Sequence, residues 1–215
     1  MKHFTLFPIE ATSLLSLNDL YALAGLYFTA HDDYATDVTY EQLAGITGQS
    51  FGYLKDHFSK RLAESGLVKS VITHSPNDYK KKKTYHLPKP ESKYRIIRKG
   101  IFEDEVLTSE EKGFLVALYC HCVNESFNIG LKPKQIMERI KIKKTTFHKY
   151  WKSLQNKGYL RKLEDMPQNP ESEDHSEDYM LTCHWLGYED YVQWLKKWEY
   201  PTEKITDLFA QKIAS

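Results

Sequence analysis

Residues 131–162 read LKPKQIMERIKIKKTTFHKYWKSLQNKGYLRK, and this stretch decides the fold of the second half of the chain. It contains eleven Lys and Arg residues and a single acid, Glu138, so its formal charge is +10. The whole chain of 215 residues carries only +1. A basic run is often no more than a solvated surface, but here the apolar residues between the charges follow a pattern that assigns the charges to particular faces.

The apolar residues of this stretch predict two helices joined by a tight turn. Ile136 and Ile140 are four residues apart, as on one face of a helix. A break follows at residues 141–144, and Thr145 is the predicted N-cap of the second helix. Gly158 stands where a left-handed residue would end that helix. Two helices joined in this way predict a helix-turn-helix.

The second helix has a predicted inward stripe, Phe147, Trp151 and Leu154. The polar residues around the stripe are candidates for DNA contact, because lysines bind phosphates and side chains near the helix N-terminus read base edges. They are Lys143, Lys144, Thr145, His148, Lys149 and Lys152. Arg161 and Lys162 begin a predicted β-hairpin, which would make the unit a winged helix; a generic helical core is the alternative.

The composition is that of a globular protein, with 41% hydrophobic and 27% charged residues. The sequence contains no run of about 18 apolar residues, so it predicts no membrane span. The first residues lack the apolar core of a secretory signal. Three cysteines are few and odd in number, which favours a reducing environment over a disulfide framework. We therefore expect a cytoplasmic protein.

The first half of the chain shows a weaker form of the same pattern. Gly66 and Gly158 are 92 residues apart, and this offset extends without gaps into both flanks, where it aligns Phe58 with Tyr150. Helical periods can align by chance. Matched apolar positions over about 45 residues nevertheless predict two copies of one supersecondary unit.

The first copy is expected to use the same elements. Residues 17–28 predict a helix, Thr39 the cap of a short helix over 40–44, and Ser50 the cap of a longer helix that stops at Gly66. The predicted inward face of the longer helix consists of Phe51, Leu54, Phe58 and Leu62.

The predicted DNA contacts of the first copy come from this longer helix and from a hairpin. The hairpin strands are predicted over residues 68–73 and 84–87, with a lysine-rich tip that either meets phosphates or is polar only for solubility. The candidate residues are Gln49, Ser50, Tyr53, Lys60, Lys80, Lys81, Lys82 and Lys83.

A proline-containing segment over residues 88–92 is the predicted linker. It divides the chain into a winged-helix domain over 1–90, a second over 91–184 and a C-terminal helical extension over 185–215. The extension either pads the core of the second domain or forms a homodimer interface.

The hairpin tip of the second copy, residues 164–178, has the opposite charge from that of the first. It holds seven acids and no Lys or Arg, so it cannot follow phosphates. We expect it to lie away from DNA, to dock on a basic partner or to be only an acidic loop.

Residues that could carry metal chemistry occur in two clusters, Cys120-His121-Cys122 and Cys183-His184. Cysteines two positions apart on a helix point in different directions and cannot share a tetrahedral site. Buried thiols are therefore the preferred interpretation, and we expect no metal site.

Asp32, Asp33 and Asp37 could in principle hold Mg²⁺ for a metal-assisted nuclease, but a polar loop is the preferred interpretation. The sequence contains no phosphate-binding glycine loop, dinucleotide fingerprint or nucleophile elbow. We therefore expect no cofactor and no enzymatic activity.

The second copy also carries a resemblance to known proteins. The residues concerned are YRII at 94–97, VLTSEEKGFL at 106–115 and LQNKGYLR at 154–161. These resemble the helix-turn-helix domains of plasmid- and phage-borne replication proteins, including the DnaD-like N-terminal domain. The first copy shows a weaker form at 4–8 and 15–19. Two such units in tandem also look like iteron-binding plasmid initiators, in which the pair grips consecutive turns of DNA.

Together these patterns predict a mainly α protein with small β-hairpin wings, of the α+β class, built from two tandem winged-helix domains and C-terminal helices. The predicted partner is double-stranded DNA, with a homodimer through the C-terminal helices as a further possibility and no membrane contact. The predicted role is transcriptional regulation in a bacterial or mobile-element system. The alternatives are plasmid- or phage-type replication initiation and a protein–protein assembly adaptor.

Overall fold

The computed structural model describes residues 3–74, 81–123, 127–162 and 179–183; for 69–74 and 81–82 it describes the backbone alone. Within these ranges the protein combines helices with small antiparallel sheets and belongs to the α+β class. The chain divides into two compact units, Met1–Ala117 and Leu118–Ser215. Lys80, the acidic stretch 164–178 and the predicted extension 185–215 lie outside the described residues.

The helices are α1 Leu17–Thr29, α2 Tyr40–Thr47, α3 Ser59–Ser65, α4 Gly100–Glu103, α5 Ser109–Cys120, α6 Pro133–Ile140 and α7 Lys144–Asn156. A π-helical turn, Tyr53–Phe58, precedes α3, so that residues 51–65 form one continuous helical run. None of the helices in the described ranges has the length and apolar character needed to span a bilayer.

The strands are β1 Phe4–Pro8, β2 Ala35–Thr36, β3 Lys69–His74, β4 Lys81–His86, β5 Tyr94–Arg98, β6 Asn128–Ile129, β7 Leu160–Lys162 and β8 Tyr179–Leu181. They form three antiparallel sheets, with the orders β1-β5, β2-β4-β3 and β6-β8-β7. The sequence predicted residues 81–83 in a hairpin tip. They belong instead to the backbone of strand β4.

The helices of the first unit form its apolar core. Nearly all of α1 is buried, including Leu20, Leu23 and Leu26, because this helix has neighbours on several sides. Its N-cap Ser16 accepts a hydrogen bond from the backbone N–H of Asp19. Thr39 forms the predicted cap of α2, where it exchanges hydrogen bonds with Gln42 in a capping box.

The same order of elements occurs twice along the chain: a strand, a long helix, a two-residue strand, a short helix, a longer helix and two hairpin strands. At the start of the two segments, residues 92 positions apart lie opposite one another within the first unit. Thr5 pairs with Ile97 between β1 and β5, and the Asn18 side-chain amide donates to Glu110 Oε1 at 3.1 Å. Contacts between equivalent residues are the arrangement that a local two-fold axis produces.

The predicted constant offset of 92 is wrong in the middle of the two segments. Gly48 and Lys141 are the left-handed residues that follow α2 and α6, and they are 93 positions apart. Gly66 and Gly158, the left-handed glycines after the longer helices, are again 92 apart. The first segment therefore has one extra residue between these points.

The π-helical turn Tyr53–Phe58 lies where this extra residue must be absorbed. A π turn is the usual form of a one-residue insertion in a helix. At the end of the turn, Phe58 corresponds to Trp151 and not to Tyr150, and both Phe58 and Trp151 are buried.

Two predictions about the longer helices are wrong. Phe51 was expected to face inward with Leu54, Phe58 and Leu62 but is 40% exposed, because it stands in the first turn of the helix, where its ring lies beside Tyr40 and Lys55 and not in the core. Thr145 does not cap α7; the chain is extended at Lys143, which takes the N-cap position, and Thr145 lies in the first turn.

Helices α1 and α5 pass very close to each other at Gly113. A Cβ atom at this position would overlap the backbone carbonyl of Leu17, both residues being in the first unit. Only glycine allows this approach, since a backbone carbonyl cannot move aside as a flexible side chain can.

We expect Gly113→Ala to lower the free energy of unfolding by about 1–3 kcal/mol, because the two helices must separate to admit the methyl group. Urea denaturation followed by circular dichroism measures the change. The matched control is Gly45→Ala on α2, where an added Cβ meets nothing within 4 Å. The control should be stabilised by about 0.5–1 kcal/mol. Equal effects of the two substitutions would contradict the close approach.

Candidate nucleic-acid interface

The second unit presents two helices joined by a short turn. In α6, Ile136 and Ile140 are buried as predicted. Lys141 then adopts a left-handed conformation with φ +52°, and its N–H donates to the carbonyl of Met137. The left-handed residue ends α6, so that α7 can begin after Lys143.

The rotation of α7 about its own axis is fixed by its aromatic side chains. Phe147, Trp151 and Leu154 are all buried, which confirms the predicted inward stripe. The rings of Phe147 and Trp151 stack with centroids 4.9 Å apart, and Trp151 meets Tyr179 of β8 edge to face at 4.8 Å. Such aromatic contacts stabilise the packing beyond the area that they bury.

The polar residues predicted on the other faces of the second helix are all exposed. They are Lys143, Lys144, Thr145, His148, Lys149 and Lys152. The α7 sequence contains no acid. Lys132, Lys134, Arg139 and Lys141, on or beside α6, are exposed as well. The structure thus leaves a cationic surface on α6, the turn and α7, and we call it the α7 cationic surface.

The C-terminus of α7 leads directly into a sheet. Gly158 has φ +69°, as predicted for the helix stop, and the N–H of Tyr159 donates to the carbonyl of Leu154 at 2.8 Å. Strand β7 follows at once and pairs with β8 from Leu160↔Leu181 to Lys162↔Tyr179.

In contrast to those of the second copy, the residues predicted as DNA contacts in the first copy are not all exposed. Gln49 is buried and donates from Nε2 to the carbonyl of Asn18 at 2.9 Å, so it is not on an exposed face. Tyr53 is half-buried and its hydroxyl donates to Asp19 Oδ1 at 2.7 Å. Ser50 is exposed and caps the helix by accepting from the Tyr53 N–H at 3.3 Å.

Two of the first copy's predicted lysines have exposed side chains. Lys60 is one, and its ammonium lies 4.0 Å from Glu64 one turn later. Lys83, on β4, is the other. Its Nζ is 3.1 Å from the Tyr40 hydroxyl, which ties this strand to the start of α2. The side chains of Lys81 and Lys82 lie outside the described atoms.

A buried carboxylate, Asp19, holds the first copy's longer helix against α1. Arg61 binds it with both Nε and Nη2, at 2.6 and 2.8 Å, and Ser16 and Tyr53 donate to it as well. Burial by itself raises the pKa of Asp19, but the hydrogen bonds from Arg61, Ser16 and Tyr53 outweigh it and hold the pKa below its ordinary value. This contact could not be predicted from the sequence, because Tyr53 and Arg61 are 34 and 42 positions from Asp19.

The carboxylates considered for Mg²⁺ serve the loop in which they lie. Asp33 Oδ1 accepts a hydrogen bond from the backbone N–H of Ala35, and Asp37 Oδ1 accepts from the Thr84 hydroxyl at 2.7 Å. The thiols of all three cysteines are buried. Among the residues that the structure describes, no group of three or more His, Cys, Asp or Glu side chains is placed to hold a metal ion.

The chain matches no protein family, no curated protein and no solved structure. Its function must therefore be inferred from the geometry of its own residues.

We expect Arg61→Ala to lower the free energy of unfolding by about 2 kcal/mol at neutral pH, because it leaves the Asp19 carboxylate buried without its main partner. The cost is below the roughly 3–5 kcal/mol of a fully buried pair, since the Arg61 side chain is 39% exposed and water can partly replace it. Urea denaturation measures it. Lys60→Ala, which removes a neighbouring exposed cation, should change the stability by no more than about 0.5 kcal/mol.

The same contact predicts a dependence on pH. The lowered pKa of Asp19 means that its contribution is present above the unfolded value near 3.8 and is lost as the pH falls through the folded value. The stability difference between the wild type and Asp19→Asn should therefore shrink in acid. A difference that stays constant from neutral pH to about pH 2 would contradict this assignment.

Proposed function

We propose that the protein binds double-stranded DNA, with α6 and α7 acting as a helix-turn-helix and α7 entering the major groove. The observation that carries the proposal is the division of α7 into two faces. Its apolar stripe is buried, while every polar residue predicted as a DNA contact on α7 or at its N-cap is exposed. A helix anchored in this way can present several cations to a polyanion without moving.

The neighbouring elements support the same proposal. Strands β7 and β8 follow α7 and pair with β6, which precedes α6, in the order β6-β8-β7 that is expected of a winged helix; the first unit has the corresponding β2-β4-β3 sheet. We therefore propose that each unit contains a winged helix. In this proposal the two winged helices contribute unequally to DNA binding.

The α7 cationic surface would supply most of the binding free energy in the second unit. Lys144, Lys149 and Lys152 would meet phosphates, while Thr145 and His148 would lie near base edges. In the first unit, Lys60 and Lys83 would add phosphate contacts. Gln49 and Tyr53 are withdrawn from the proposed contacts, because their side chains hold the helix to α1.

The proposed biological role is transcriptional regulation, with replication initiation as the alternative, since both begin with binding to a defined duplex. Selection of bound sequences from a random pool, followed by their location in the source genome, separates the roles. Sites upstream of genes would support regulation, and clustered repeats beside a replication gene would support initiation.

The rival proposal, a protein assembly adaptor, rests on the acidic stretch 164–178 and the C-terminal residues, which lie outside the described ranges. Retention on heparin that is lost with added salt favours nucleic acid over this alternative.

We expect Lys144→Ala combined with Lys149→Ala to weaken binding to all duplexes by about tenfold or more near 0.1 M salt, because two phosphate contacts are lost. The slope of log affinity against log salt should fall by about 2. Fluorescence anisotropy with labelled duplexes of different sequence measures both. The matched control is Lys89→Ala with Lys93→Ala, which removes the same charge from exposed positions between β4 and β5. Unchanged affinity and slope in the α7 variant would refute the proposed site.

A further inference from the structure

The first copy's longer helix begins with an apolar side chain that faces solvent. Phe51 is 40% exposed and stands in the first turn of the continuous helical run 51–65, directly after the cap Ser50. Exposed apolar residues are common on protein surfaces, and a single one is not evidence of a binding site. The surroundings of Phe51 are what make this one informative.

One lysine and a second aromatic ring lie beside Phe51, and a second lysine lies over that other ring. The Nζ of Lys55 lies 5.7 Å from the centre of the Phe51 ring, and the Tyr40 ring lies 6.3 Å away, edge on. The Nζ of Lys83 is in turn 5.5 Å from the centre of the Tyr40 ring. Three elements, α2, the helical run 51–65 and β4, therefore contribute to one surface that combines an apolar centre with cations.

The residue after Phe51 is a glycine that the fold does not require. Gly52 has φ −58° and ψ −44°, which any residue adopts in a helix, and an added Cβ would meet nothing within 4 Å. Glycine within a helix is less favourable than alanine. A bare backbone on an exposed helix is, however, what the close approach of a ligand needs.

We infer that Phe51 and Gly52 contact the 5-methyl group of a thymine in the major groove, with Lys55 and Lys83 on flanking phosphates. The inference rests on the proposed binding to double-stranded DNA and adds the kind of base that the first copy reads. The thymine methyl is the apolar group on the major-groove edges of the bases, and phenylalanine is among the side chains that contact it. The residues at the start of such a helix are those that reach base edges.

The corresponding position of the second copy, at the offset of 93, is Lys144. The two helices would therefore read different features of DNA: the first an apolar group, and the second the phosphates and polar base edges.

The test uses duplexes that the wild-type protein selects from a random pool. Each thymine is replaced in turn by deoxyuridine, which removes the methyl group and leaves the hydrogen-bonding groups unchanged. For the wild type we expect a loss of affinity of about three- to tenfold at one or two positions, the size that burial of one methyl group gives. Phe51→Ala should bind these duplexes with the same affinity whether or not the methyl is present. Leu14→Ala, which truncates another exposed apolar residue, should retain the wild-type response.

A second variant separates binding from folding. Gly52→Ala should raise the melting temperature, because alanine is the better helix former, and should weaken binding to the selected duplexes, because the added methyl keeps the helix from the base pair. A more stable protein with unchanged affinity would overturn the role of Gly52.

The remaining outcomes distinguish a failure of the proposed function from a failure of the inference alone. If the wild-type protein enriches no duplex, the proposed function fails and the inference with it. If it enriches a duplex but Phe51→Ala keeps the wild-type deoxyuridine response, the inference alone fails. If Phe51→Ala weakens binding to single-stranded oligothymidine and leaves duplex binding unchanged, Phe51 is a stacking platform for unpaired bases and the inference is overturned.

Discussion

The packing of Trp151 between Phe147 and Tyr179 is the constraint on which the proposed interface depends. A helix with three lysines and no acid has no preferred rotation of its own in water. Burial of the aromatic stripe sets that rotation, and the left-handed Lys141 and Gly158 set where α7 begins and ends. Once these are fixed, the placement of Lys144, Lys149 and Lys152 on the outside follows from helical geometry alone. The aromatic core and the cationic surface are thus two consequences of one spacing in the sequence.

The first unit has one more residue than the second between the left-handed residues that flank its longer helix. Between Gly48 and Gly66 there are eighteen steps along the chain, and between Lys141 and Gly158 there are seventeen. The π turn over Tyr53–Phe58 takes up the difference, so that Leu62 and Leu154 remain equivalent. At the start of the two helices, Leu54 and Phe147 are both buried, while Phe51 and the corresponding Lys144 are both exposed.

The sequence was most informative where the determining contacts are local. The inward stripe of α7, the cap at Thr39 and the left-handed Gly66 and Gly158 depend on residues within one or two turns, and all were predicted correctly. The predicted exposure of Gln49 and Tyr53 was wrong because the contacts that bury these residues are not local. Their partners, Asn18 and Asp19, lie on a helix more than thirty positions away, and a pattern of exposed-looking polar residues does not reveal such contacts. The exposure of Phe51 was missed because a helical period shows which face is apolar but not where along the helix the core ends.

The charged residues of the two copies also make different contacts, and this difference bears on the proposed roles of the two longer helices. In the first unit, Asp19 binds Arg61 and Tyr53, so a cation and a hydroxyl of the longer helix are used to hold that helix in place. At the offset of 92, the counterparts of Asp19 and Arg61 are Glu111 and Ser153, and Glu111 accepts a hydrogen bond from the backbone N–H of Thr108 at the start of its own helix. The longer helix of the second unit packs through Phe147, Trp151 and Leu154, and its lysines are exposed. Exposed cations on a helix that is held by its apolar face are available to a polyanionic ligand, and this is why the proposed DNA contact is placed mainly on α7.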